Sequence, residues 1–128
     1  MTASNGLNVY SEIGRLRRVA VHRPGVELDN LTPPNMKSLL FDDIPDHVAA
    51  AREHDFFTDV LREAGVEVLY VTDLLANLLA DLDDRRTFLE RFLEEARVFQ
   101  ATRQRVFDHL FSMEDPKELV QSLVAGIR

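Results

Sequence analysis

Three consecutive stretches, residues 16–22, 46–64 and 66–71, alternate in pattern in a way that few folds accommodate. Leu16-Arg17-Arg18-Val19-Ala20-Val21-His22 has a period of two, with Val19 and Val21 on one face and Leu16 and Ala20 on the other. Val66-Glu67-Val68-Leu69-Tyr70-Val71 has the same character. Apolar residues on both faces predict strands covered on both sides, as in a parallel sheet. Between them the period changes to that of a helix: Ala49, Phe56, Phe57, Val60, Leu61 and Ala64 fall on one face, and Gly65 follows as a helix-ending residue. A hairpin cannot join parallel strands, so the pattern predicts a right-handed strand–helix–strand crossover. Residues 23–45 and residues 72 onward then leave the sheet at the carboxyl ends of its strands, the edge where open α/β sheets place ligands.

The first of those connections carries the most unusual sequence. Arg23-Pro24-Gly25 breaks the strand, and a short helix is expected to start with Thr32 as N-cap, Pro33 at the first position and Leu31 stapled to Met36. It runs into Leu39-Leu40-Phe41-Asp42-Asp43-Ile44-Pro45, where three large apolar residues precede two carboxylates and a proline stops the helix. The expected product is an apolar turn that carries paired carboxylates at the ligand edge; a plain surface turn is the alternative. Pro45 is expected in the first turn of the next helix, with Asp43 or Ile44 near its cap. Within that helix Glu53 falls in the middle of the apolar face and His54 at its edge. A carboxylate in such a stripe is costly unless paired or protonated. Glu53 therefore reads as a structural ion-pair member, with Arg17 or Arg18 as partner. Adjacent helical residues point about 100° apart, so Glu53-His54 makes a poor catalytic or metal-binding pair and is read as structural.

From residue 72 the character becomes helical. Thr72 or Asp73 is expected to cap a helix through Leu74, Leu75, Leu78 and Leu79. A second starts near Asp84, with Phe88, Phe92, Ala96 and Phe99 on a stripe beside Leu89 and Leu93. A third spans about 101–112 with Val106, Phe107, Leu110 and Phe111 inward, and a fourth opens at Asp115-Pro116-Lys117-Glu118 with Leu119, Val120, Leu123 and Val124 as its apolar face. The expected organisation is thus a strand–helix–strand module over 1–71 and a small helical bundle over 72–128. Upstream, residues 1–6 read as a loose end, Leu7-Asn8-Val9-Tyr10 as a short strand and Ser11-Glu12-Ile13-Gly14 as a turn.

Composition removes several classes of function. A net charge of −7 argues against nucleic acid, whose phosphates need basic surfaces. No apolar run reaches the length of a membrane span, and the amino terminus lacks the regions of a signal peptide, so a cytoplasmic protein is expected. The chain has no cysteine, which excludes disulfides and a thiol nucleophile within it. Its four histidines lack metal-ligand spacing, its five glycines form no phosphate loop, and no catalytic constellation is complete. A two-stranded or three-stranded parallel sheet with uncovered edges is a poor free-standing domain, so the 128 residues are expected to be a truncated chain.

Several separated motifs resemble one family. The stretch Leu7 to Leu16, then Val19-Ala20-Val21-His22-Arg23-Pro24-Gly25, Leu31-Thr32-Pro33, Leu39-Leu40-Phe41-Asp42-Asp43-Ile44, Glu53-His54 and Gly65-Val66-Glu67-Val68 is similar in order and spacing to the opening of arginine deiminases. Leu119-Val120 through Ala125-Gly126 resembles their inserted helical domain. The resemblance implies an α/β-propeller (pentein) of repeated modules. Residues 1–71 would be its first strand–helix–strand module, and 72–128 an incomplete part of the helical bundle inserted after it. It implies hydrolysis of L-arginine to L-citrulline and ammonia, without metal or organic cofactor, in a homo-oligomeric parent enzyme. In such enzymes a cysteine attacks the guanidinium carbon, a histidine is the general acid and base, and carboxylates hold the guanidinium nitrogens. Those groups lie outside these residues, so no catalytic residue is expected here and this chain alone is expected to be inactive. What carries over is Leu40 at the substrate-pocket wall, framed by Phe41, Asp42 and Asp43. The alternative expectation is a non-enzymatic remnant that binds arginine or uses its helices to bind a partner.

Overall fold

A computed structural model describes residues 9–126. Its sheet has two parallel strands, β1 (Arg18–Val21) and β2 (Glu67–Tyr70), in the register Arg18 to Glu67, Val19 to Val68, Ala20 to Leu69 and Val21 to Tyr70. The crossover between them holds a 3-10 segment (Val26–Asn30), a one-turn helix α1 (Pro33–Met36) and the long helix α2 (His47–Glu63). The strand–helix–strand unit and its parallel sense match the reading of the sequence. Of the short strand expected over residues 7–10, Leu7 and Asn8 lie outside the described residues, and Val9 and Tyr10 are not in a strand.

Both strands are shorter than their patterns suggested. In β1, Val19 and Val21 are half-buried but Arg18 and Ala20 face solvent, so this strand is covered on one side only. Arg18 extends along the exposed side to Glu67 of β2, donating from Nε at 2.6 Å. β2 stops at Tyr70, because Val71 already begins the next helix. Glu53, expected to pair with Arg17 or Arg18, is instead exposed.

The exposure of Glu53 follows from how α2 is rotated about its axis. Its inward stripe is Ala51, His54 and Thr58, three and four residues apart, and Leu61 continues it half-buried. Phe56 and Phe57, expected to point inward, are 74% and 53% exposed. Small side chains let α2 lie close to β2, whereas the Phe56 face would hold it away. The start of α2 also moves. Asp46 is the N-cap, its Oδ1 accepting from the amides of Val48 (2.8 Å) and Ala49 (3.2 Å), so Pro45 lies just outside the helix. At the far end Gly65 takes φ of 78°, and the Val66 amide reaches back to the Leu61 carbonyl at 3.0 Å, closing the helix as its sequence indicated.

Four helices follow: α3 (Val71–Leu78), α4 (Leu82–Glu95), α5 (Gln100–Phe111) and α6 (Pro116–Ala125). α3 packs against α6 and α4 against α5. Their shared core is Ala76, Leu79, Leu89, Leu93, Leu110, Leu119 and Val120, with Phe88, Phe92, Val106 and Phe107 partly buried around it. The expected stripe holds for α5, and for α6 it holds at Leu119, Val120 and Leu123, whereas Val124 is exposed. In α3 the buried position is Ala76, with Leu79 buried at its C-cap, while Leu74 and Leu78 are exposed, and the expected caps Thr72 and Asp73 lie inside the helix. Phe99 is 85% exposed because α4 ends at Glu95 and Phe99 becomes the N-cap position of α5. Asp81 and Asp115 cap α4 and α6 through their carboxylates. α6 also packs on the 3-10 segment, which joins the bundle to the sheet.

Arg85 fastens the bundle from within. It is 4% exposed, and its guanidinium donates to the carbonyls of Leu79 (2.7 Å) and Met113 (2.6 Å), beyond the last turns of α3 and α5. The carbonyl at the C-cap of α3 has no partner within that helix, and the same side chain also satisfies the Met113 carbonyl just past α5. Beside it, Arg86 lies over the rings of Phe107 and Phe111, 4.8 Å from the Phe111 centroid, and ties α4 to α5 from the surface. Among the described residues no helix is long and apolar enough to cross a membrane.

Candidate functional site

The turn singled out in the sequence has an unusual backbone. α1 unwinds through residues 37–40, where the Leu40 amide donates to the Lys37 carbonyl (3.2 Å) and the Phe41 amide to the Met36 carbonyl (2.9 Å). These are the two bonds of a Schellman helix end, whose left-handed position normally holds glycine. Here it holds Leu40, with φ of 62°. A left-handed leucine costs roughly 1–2 kcal/mol, because Cβ crowds the following carbonyl oxygen. Packing does not offset that cost, since Leu40 is 92% exposed. Leu39, Phe41 and Ile44 are also exposed, Phe41 and Ile44 at 38% and 41%, as are Asp42 and Asp43. Asp43 Oδ1 accepts from the Ile44 amide at 2.8 Å and so turns the chain toward Pro45. The structure thus presents a strained apolar finger with two carboxylates at its base.

A second concavity lies at the carboxyl ends of the strands. A cleft of about 450 Å3 is lined by residues that include His22, Arg23, Glu27, Thr72, Asp73 and Lys117. Glu27 organises its floor by accepting from the Gly25 amide and from His22 Nε2, both at 2.8 Å. A Cβ on Gly25 would meet Glu27 Oε2 at 2.9 Å, so a larger residue there would make this carboxylate shift. Burial pushes the Glu27 carboxyl up, but its bonds to His22 and to the Glu27 and Gly25 amides outweigh that and hold it below its usual range. At the rim Arg23 donates twice to Asp55, each at 2.8 Å, and this bond holds the Asp55 carboxyl down as well.

The pH dependence of stability follows from these two carboxyls. Both have folded values lowered relative to the unfolded chain, so their contribution is complete above roughly pH 4–5. It is lost as the pH falls through the lower folded values. Urea unfolding at pH 3 should therefore show a lower midpoint than at pH 6, and Glu27→Gln should narrow the difference.

Leu40, Phe41, Asp42 and Asp43 are not among the residues that line the cleft, so the two features at this edge are separate. Nor does the structure join the turn to Glu53 and His54. His54 lies half-buried with its ring centroid 6.0 Å from that of Tyr70 and 6.4 Å from that of Phe57. Both its ring nitrogens are buried without a hydrogen-bond partner among the described residues. Sequence reasoning missed the His22–Glu27 and Arg23–Asp55 pairs and Arg85. Gly25-Val26-Glu27 next to His22 was a legible local signal, whereas Arg23 and Asp55 are 32 residues apart.

The class defined so far is an α/β crossover unit with a docked helical bundle and a solvent-facing apolar turn on its first connection. Residues 37–128 match the family model described as arginine deiminase. Over its whole length the chain is 44% identical to the arginine deiminase of Streptococcus equi subsp. zooepidemicus (strain MGCS10565). It is 43% identical to those of Streptococcus uberis (strain ATCC BAA-854 / 0140J) and Streptococcus pyogenes. It spans about a third of the length of these relatives, 31% of the first and 32% of the second. The chain belongs to the arginine deiminase family.

Proposed function

We propose that this chain supplies the substrate-facing apolar wall of an enzyme that hydrolyses L-arginine to L-citrulline and ammonia, and that it carries no catalytic group of its own. Within that reading residues 1–71 are the first module of an α/β-propeller and 72–128 belong to the inserted bundle. Leu40 would lie along the aliphatic stem of arginine, with Phe41, Asp42 and Asp43 as its frame. The observation that carries the reading is the left-handed leucine. A chain that needed only a turn would place glycine at this position, so the apolar side chain has a use that solvent does not supply. The proposed enzyme works through a cysteine nucleophile, and these 128 residues contain none. The proposed setting is cytoplasmic, within a homo-oligomeric enzyme.

Three measurements bear on this. The purified chain incubated with arginine should release no citrulline, and steady release that scales with protein concentration would overturn the division of labour. Leu40→Gly should raise the stability of the chain by about 0.5–1 kcal/mol in urea unfolding, since it relieves the left-handed strain and loses no packing. The same substitution should weaken arginine turnover when the segment is grafted in place of the matching part of the Streptococcus pyogenes enzyme.

A further inference from the structure

The strain at Leu40 poses a mechanical question. α1 is a single turn, too short to persist by itself in water, yet its carbonyls must stay in place to hold Leu40 left-handed. Asn35 is the residue on which that turn converges. Its Oδ1 accepts from the Thr32 amide at 2.7 Å, fixing the amino end of α1. Its Nδ2 donates to the Asn30 carbonyl at 3.1 Å, tying α1 to the end of the 3-10 segment. Its own carbonyl accepts from Ser38 Oγ (2.7 Å) and from the Leu39 amide (3.2 Å), immediately before Leu40. The chain of bonds continues in the other direction, because Asn30 Nδ2 donates to the carbonyl of Ala125. Ala125 ends α6, so this bond satisfies a carbonyl that the helix leaves open.

We infer that Asn35 is a positioning residue for Leu40, and that Asn30 anchors it to the carboxyl end of α6, 95 residues away in sequence. The inference rests on the reading of Leu40 as a substrate-facing wall and names what aims it. Three substitutions separate the parts. Asn35→Ala removes both side-chain bonds. Asn35→Asp keeps an acceptor for the Thr32 amide but loses the donor to Asn30. Asn30→Ala cuts the tether to α6 while the bonds that Asn35 makes to residues 32, 38 and 39 stay available.

Amide hydrogen exchange in the chain itself is the first test. In Asn35→Asp and in Asn30→Ala the Leu40 and Phe41 amides should exchange about tenfold faster, the equivalent of one net hydrogen bond, with Val19 and Leu69 unchanged. Asn35→Ala should give a larger loss, and the Leu40 coupling constant should move away from its left-handed value. Unchanged exchange at Leu40 in both Asn35→Asp and Asn30→Ala would overturn the relay. The second test uses the grafted deiminase, where Asn35→Asp should raise KM for arginine severalfold with kcat nearly unchanged. A loosened turn with unaltered KM would make Asn35 merely structural and overturn the positioning role. An inactive graft with Asn35 intact would count against the deiminase reading instead, while the exchange result still decides the relay.

Discussion

Arg85→Met should lower the stability of this chain by about 3 kcal/mol. The substitution roughly keeps the volume of the aliphatic stem, so its effect isolates the guanidinium. Two carbonyls, those of Leu79 and Met113, lose a charged donor at once. Each carbonyl left without a partner in a buried setting costs about 1–3 kcal/mol. Relief from burying the charge offsets part of the sum, because among the described residues no carboxylate is bonded to Arg85. Arg85→Lys should cost about half as much, since one ammonium is poorly shaped to reach both carbonyls. Urea unfolding followed by far-ultraviolet circular dichroism reads both differences. A loss below 1 kcal/mol for Arg85→Met would show that the helix ends find other partners.

Leu110→Ala is expected to cost about 2–5 kcal/mol, the range for emptying a fully buried leucine site. Leu110 is the one fully buried residue of α5, and it packs in the cluster formed with Leu79, Leu89, Leu93, Leu119 and Val120. α5 packs mainly on α4, so little else can take up the loss. The stacked rings of Phe107 and Phe111 lie at 5.5 Å between centroids on the same helix but are only partly covered. The contrast makes a second measurement informative: Phe99→Ala, at an exposed site, should change stability by less than about 0.5 kcal/mol.

Local chemistry accounts for what was legible beforehand. Gly65, Asp115 with Pro116, and Thr32 with Pro33 mark helix ends through their own backbone and side-chain preferences, and each stands where it was read. The parallel strand pair was legible because only a crossover fits its spacing. What failed depends on contacts that periodicity does not see. α2 has two usable faces, and its smaller one, through Ala51 and Thr58, faces inward, which carries Glu53 to the surface. Pro45 disguised the cap at Asp46. Arg85 reads as an ordinary charged position on α4, because the carbonyl of Met113 that it binds is 28 residues away. The Leu39-Phe41 turn was legible as unusual, but the left-handed state of Leu40 was not, since leucine carries no preference for it.

The uncovered side of α2 and the 92% exposure of Leu40 have one explanation under the proposed function: both surfaces meet polypeptide and substrate that these residues do not provide. The most direct measurement is citrulline release by the Streptococcus pyogenes arginine deiminase carrying residues 1–128 in place of its own matching segment. The expected result is an active enzyme whose KM for arginine rises on Leu40→Gly while its fold stays intact. An active graft with a KM indifferent to Leu40 would contradict the assignment of the turn as a substrate wall.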